Sequence, residues 1–528
     1  MLILYHAKIR TQDDENPTAS AIAIEDGKIF AVGSDEDVLA LSKQGDQLED
    51  LNGHTIWPGL TDSHIHIQHL AANLQSLRCE DLSKENCVQL VAEKASEVNP
   101  GKWILGHGWD HNNWPGGYGS VVDLDNVSAE NPVYLTSKSL HSAWVNSKAL
   151  EIAGINKNTP DPTGGVIIRR SDGSPSGILL DDAIKLVKQV IPNPTKEELA
   201  QDILKVQQDL NRAGLTSIHD FDRYLDYEAF QILRSNDKLK LRIEMSIALD
   251  DLHLYQAEIM DHGRGDATIH IGNLKLFADG ALGSRTAAMF DPYEGLQDEK
   301  GLLIRTIEEL IEFGMIKWLP GLSIHAIGDY ANHIVLNAIG EIRKWEKSNA
   351  IDTRLHRIEH AQLVHSDDFK RFADLNVIAS MQPIHATSDQ WMAEKHWGTR
   401  CENAYAWKKI LESKVKMIFG SDSPVESFSP FWGMEAAITR KRWYPPVSES
   451  AWYYENAISL KDALDAYTLI PAQAAGHPGM LGKLAPGYFA DLIVLREDPF
   501  FEVPERLHST TPLATMFNGE WVFKDNDW

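Results

Sequence analysis

From residue 196 to residue 422 the chain alternates helix-like and strand-like segments, and this rhythm limits the fold more than any other feature. KEELAQDILKVQQDLNR carries apolar residues at helical spacing, ends before a glycine and is followed by the strand-like LTSIHDF. The alternation then repeats. Strand candidates fall at 215–221, 241–250, 271–280, 321–328, 353–361, 376–383 and 415–422, with helical stretches between most of them. An earlier apolar run at 56–66 brings the number of strands to eight, which predicts an α/β fold of the (β/α)8 TIM-barrel type with functional side chains at the C-terminal strand ends. A doubly wound open sheet is the alternative that the pattern alone leaves standing.

At 528 residues the chain exceeds what one ordinary core supports. Two regions break the barrel rhythm. Residues 1–55 alternate short strands with turns such as Asp26-Gly27, and short strands return after residue 478 with a second turn at Asn518-Gly519. We therefore expect one β-sandwich domain from residues 1–55 plus 478–528. The barrel is expected to take 56–74 plus 191–477, and 75–190 to form an inserted domain or lid after the first barrel strand, since so long a connection needs structure of its own.

The opening barrel segment, WPGLTDSHIH, closes on His64-x-His66. Residues two apart on a strand share a face, so both imidazoles can lean toward one point, and a divalent ion is the simplest occupant. Two such histidines can equally be surface or hydrogen-bonded core residues. More donors stand at the ends of other strands: Lys275 on the fourth, His325 on the fifth, His360 on the sixth and Asp422 on the eighth. Any one of them alone reads as a packed residue, but jointly they favour a metal cluster. His356, four residues before His360, lies about 13 Å deeper along its strand and cannot reach the same ion. His219 is left as a lining residue.

Composition narrows the partners. Lys and Arg total 50 against 76 Asp and Glu, a net charge of -26, which repels nucleic acid and leaves small molecules as the expected substrates. The three cysteines suggest neither a disulfide framework nor a cysteine metal site. The N-terminal stretch lacks the pattern of a secretory signal, and no apolar run is long enough to cross a bilayer, so the expectation is a cytoplasmic protein without a membrane partner. Self-association into a homo-oligomer is compatible with the sequence.

PGLTDSHIH, the histidines of SIHAIGD and RIEHAQL, GSDSP and the tail segment LGKLAPGYFADLIVL together resemble the amidohydrolase superfamily over nearly the whole chain. HGWDHNNWP, LHSAWVNSKAL, LKLFADGALGSRTA and MQPIHATSDQW look like its subgroup containing N-substituted formamide deformylase and the YtcJ-like hydrolases. The resemblance implies a (β/α)8 barrel with a flanking β-sandwich and, in many members, two zinc ions. Carried over residue by residue, His64, His66 and Asp422 would hold one ion and His325 and His360 the other. Lys275 would bridge them as a carbamate, because an ammonium group has no lone pair to offer a cation. Lys275 could instead be an unmodified lysine paired with Asp279, and the site would then more readily hold one ion.

The implied reaction is hydrolysis of an amide-like C–N bond of an N-acyl or N-formyl amine, with Asp422 carrying the proton to the leaving nitrogen. A deaminase, or a hydrolase of cyclic amides or esters, fits the same frame, and a noncatalytic barrel is the reading from another class. For substrate binding, the loops after the strands offer Asp279, Arg285, His385 and Asp389. The insertion offers Trp109, Asp110 and His141. Arg285 could bind a substrate carboxylate or merely pair with an acid. Trp109 and Trp114 could cap an apolar substrate or simply pack their loop.

Overall fold

The computed structural model describes residues 1–448 and 450–528. Eight parallel strands follow one another in sheet order: Leu60–Ile65, Leu215–Asp220, Arg242–Ala248, Ile269–Phe277, Leu322–Ala326, Arg357–His360, Ile378–Met381 and Met417–Phe419. They are called here the first to the eighth strand. The ends of the row meet just beyond the eighth strand, where Ile65 bridges Ser423 in parallel and the Asp422 N–H donates to the His64 carbonyl at 2.6 Å. This is a nearly closed α/β barrel. Its third strand is buried along almost its whole length, as expected for strands covered on both faces.

Helices return the chain from one strand to the next. In the longest, Asp329–Ser348, Ala331, Val335, Ile339, Ile342 and Glu346 recur at helical spacing and are buried. The helix after the seventh strand, Pro383–Trp397, starts with proline in its first turn, where the missing N–H costs nothing.

The expected opening strand at 56–66 is in fact two strands that part at Gly59. Thr55–Pro58 pairs antiparallel with Leu492–Leu495 and parallel with Lys8–Arg10, while Leu60–Ile65 enters the barrel. Thr55–Pro58 thus lies inside a six-stranded sheet that runs Glu520–Lys524, Ala514–Phe517, Leu492–Leu495, Thr55–Pro58, Lys8–Arg10, Thr18–Ala19. A four-stranded sheet, Lys28–Gly33, Ala21–Glu25, Leu2–Tyr5, Gln47–Asp50, accompanies it. Leu4, Ile22 and Ile24 of one sheet share a buried core with Ile56, Leu492 and Met516 of the other. Both hairpin turns read from the sequence have two successive positive φ angles, 51° and 75° at Asp26-Gly27 and 51° and 79° at Asn518-Gly519, the conformation that favours Gly at the second position.

By compactness the chain divides into Met1–Leu70 with Ile203–Trp528, and Ala71–Asp202. The second unit is built on a six-stranded mixed sheet ordered Gly165–Arg169, Pro175–Asp181, Ser142–Val145, Val133–Ser137, Ile104–Trp109, Leu77–Arg78. Trp109, Trp114 and Trp144 pack together in one of its cores. No helix among the described residues is long and apolar enough to cross a membrane.

Candidate metal centre

At the C-terminal end of the first strand, side chains two apart face the barrel axis. The His64 ring is buried, stacks on Phe221 at 3.9 Å between centroids and donates Nδ1–H to Glu359 Oε2 at 2.7 Å. His66 Nδ1 donates to Asp222 Oδ1 at 2.8 Å. Each imidazole therefore spends Nδ1 on a carboxylate and presents Nε2, and both Nε2 atoms approach Asp422 Oδ1, at 3.6 Å from His64 and 3.3 Å from His66. A carboxylate on the far nitrogen is how proteins set the tautomer and orientation of a metal-binding histidine.

His360 Nδ1 donates to Gln382 Oε1 at 2.8 Å, and its ring centre lies 5.1 Å from that of His64 and 4.6 Å from that of His325. His325 uses the opposite atom, donating Nε2–H to the Gly280 carbonyl at 2.9 Å, which leaves Nδ1 as its free nitrogen. Burial and the nearby Lys275 charge push both His64 and His325 down to about 4, and burial with His325 beside it holds His360 well below the ordinary imidazole value. These three rings are neutral at neutral pH, the form that ligates metal. His66 differs: burial opposes its charge, but the bonds to Asp222 and Asp422 prevail and raise it to about 10.

Lys275 is buried, with Nζ 4.7 Å from the centre of the Phe221 ring and 5.1 Å from that of Phe277. Burial lowers it to about 8 against the opposing pull of Glu359 and Asp422. At the eighth strand Asp422 has φ 58° and His360, on the sixth, has φ 71°. Both ligand-type residues sit where the backbone leaves the strand, a strained conformation that recurs at functional sites. Gly420 permits the close approach of the eighth strand to the first, because a Cβ there would lie 2.4 Å from the His64 nitrogen.

His64, His66, Lys275, His325, His360, His385 and Asp422 all line one cavity of about 530 Å³. The donor atoms of His64, His66 and Asp422 lie within 4.8 Å of one another, as do those of His360, His385 and Asp422. His385 Nε2 is buried without a hydrogen-bond partner, 3.9 Å from Asp422 Oδ2. Imidazoles oriented by hydrogen bonds, a carboxylate between them and an orphaned ring nitrogen make a donor set that suits divalent ions of borderline softness.

Other expected residues lie elsewhere. Asp279 is fully buried and accepts the backbone N–H groups of Ile327, Gly328 and Ala288 at 3.0, 2.8 and 2.9 Å. It pins the loop after the fourth strand to the end of the fifth, so it is corrected from a substrate contact, and from a partner of Lys275, to a loop tether. Arg285 is 42% exposed, lies 3.9 Å from Glu299 and is not among the residues lining the cavity. In the separate unit, Trp109 is fully buried with its indole N–H on the Leu135 carbonyl, so its expected substrate contact gives way to packing. His141 there is exposed and pairs with Asp181 at 2.9 Å.

The supporting shell was missed from sequence. Glu359 is paired with Arg357 at 2.9 Å, and Arg357 also donates to the Ser63 carbonyl and Ser380 Oγ. His219, under the site, lies 2.8 Å from Arg357 Nη1 and acts as its acceptor. The signal was present in RIEH, because charges inside a fully covered strand must find partners there. Asp222 stood three residues past His219 in the IHDFD run, where the second strand was not expected to contribute.

A family model described as amidohydrolase family matches residues 47–523. The Bacillus subtilis protein YtcJ, designated an amidohydrolase, is 31% identical, with 98% of each chain covered. N-substituted formamide deformylase of Arthrobacter pascens is 28% identical over 98% of this chain and 97% of its own. A crystal structure of a metal-dependent hydrolase from Pyrococcus furiosus superposes with a TM-score of 0.78 at 27% identity, covering 94% of this chain and 99% of that one.

Proposed function

Because the chain belongs to the amidohydrolase family, we propose that it is a metal-dependent hydrolase cleaving an amide-like C–N bond, of the N-acyl or N-formyl amine class, in a small molecule. The observation that carries this reading is the convergence of His64, His66, Lys275, His325, His360 and Asp422 on one cavity. Similarity to N-substituted formamide deformylase supports the choice of bond.

Two zinc ions held by these residues would supply hydroxide at neutral pH and polarise the scissile carbonyl. His64 and His66 offer Nε2 and His325 offers Nδ1. Lys275, lowered by burial toward its neutral form, can add carbon dioxide and release a proton, becoming an anionic carbamate able to bridge. Asp422 takes the proton from the attacking water and passes it to the amide nitrogen as the C–N bond breaks, since an amine leaves well only once protonated. His385 lines the same cavity, and its unpartnered Nε2 would serve as a donor to the developing oxyanion. The products are a carboxylic acid and an amine. We assign the protein to the cytoplasm.

The test is hydrolysis of a panel of N-formyl and N-acetyl amines by zinc-replete protein, read as released amine. Turnover that disappears on chelation and returns with zinc is the expected outcome. Replete protein inert toward amides, esters and amines alike would overturn the reading.

A further inference from the structure

The helix Pro383–Trp397 presents three of the cavity-lining residues on one face: His385, Asp389 and Met392. At about 1.5 Å of rise per residue, Asp389 stands roughly 6 Å along the helix from His385 and Met392 roughly 10 Å. The helix thus forms a graded wall running outward from the metal-ligand cluster. Phe277, Leu282, Ile327, Pro424 and Val425 make much of the remaining lining apolar.

Asp389 is fixed in place. Its Oδ2 accepts the Tyr405 hydroxyl at 2.6 Å and the Gln362 amide at 3.1 Å, and Tyr405 and Gln362 also bond each other. Both contacts fall on one oxygen, and Oδ1 has no hydrogen-bond partner among the described residues. A rigid, half-satisfied carboxylate in an apolar-walled cavity asks for a donor from the ligand. The charges of the lining agree: besides the histidines they are Asp389, Asp422 and the buried Lys275. Among the described residues no arginine lines the cavity to receive a ligand carboxylate.

Resting on the hydrolase reading above, we infer that Asp389 determines specificity by binding a cationic or N–H-bearing group of the substrate, so that the substrates are acylated amines carrying a second, positively charged nitrogen.

Three hydroxamates of equal length test this through binding, because a hydroxamate anchors on metal through its two oxygens, with no hydroxylamine released over the titration: 5-aminopentanohydroxamic acid, hexanohydroxamic acid and adipic monohydroxamic acid, ending in ammonium, methyl and carboxylate. Calorimetry on the zinc-loaded protein is expected to rank ammonium at least about tenfold tighter than methyl, and carboxylate weakest, one such charge pair being worth a tenfold step. Asp389→Asn keeps the shape and an oxygen for Tyr405, and should abolish the ammonium preference while leaving the methyl compound's affinity within about twofold.

Equal wild-type affinities, no binding of the ammonium compound, or a preference that survives in Asp389→Asn would overturn the proposal. The wild-type ranking decides even if the variant does not fold. Charge selection without hydrolysis of any amide would sink the proposed reaction alone, and amide hydrolysis without charge selection would sink this inference alone.

Discussion

His385 lines the cavity, and its buried Nε2 has no hydrogen-bond partner among the described residues. If it stabilises the oxyanion, His385→Gln should lower kcat by about 10²–10³, the loss typical of one such donor, with zinc content unchanged. Steady-state kinetics paired with elemental analysis check this, and loss of a zinc ion would make His385 a ligand instead. A second outcome follows from protonation. His66, raised to about 10, must shed a proton to ligate, and Lys275, lowered to about 8, reacts with carbon dioxide only as the free amine. Both deprotonate as pH rises, so zinc uptake by metal-free protein should strengthen from pH 6 to pH 9. Competition with a chromogenic chelator in bicarbonate buffer measures it, and an affinity flat or falling with pH would contradict the assignment.

Among elements, a buried ion pair helps join barrel and sandwich. Arg242 on the third strand holds Asp491 through Nε–Oδ2 at 2.5 Å and Nη2–Oδ1 at 3.0 Å, with Phe489 and Phe517 against the guanidinium. Asp491 also accepts the Asn518 N–H at 2.8 Å, so the same carboxylate steadies the tail hairpin. Arg242→Ala leaves that carboxylate buried and unpaired, and should destabilise by about 3–5 kcal/mol in chemical denaturation. The barrel itself was legible from alternation, yet its strands proved shorter than the apolar runs suggested. The run ending in His360 stops at a φ of 71° with Ala361 at 41°, and the run to Asp422 stops at Phe419. Apolar patterning records burial, which continues past the point where the backbone turns to aim a ligand. The six positions that share the cavity stood out in sequence because their residue types are out of place at apolar strand ends. Asp279 was misread because a carboxylate that satisfies three backbone N–H groups looks, in sequence, like one that meets a substrate. Glu359 and Asp222 escaped because their role is toward other side chains, and partners hundreds of residues apart leave no local pattern.

For the whole molecule, the proposed metal centre would link metal binding to stability. The cavity draws its donors from the first, fourth, fifth, sixth and eighth strands, and an unfolded chain cannot reproduce that set. Zinc at a hundredfold excess over its dissociation constant should therefore stabilise the fold by about 2.7 kcal/mol, and a thermal melt unmoved by chelation would contradict it. The sandwich sheet carries another consequence. Thr55–Pro58 has Leu492–Leu495 as one neighbour, so a nascent chain leaving the ribosome must keep that edge open until residues 492–495 are made. At about 5–20 residues per second the wait is roughly 20 to 90 s. Over that interval the strand edge stays unpaired, and an unpaired edge is a template for pairing with other chains.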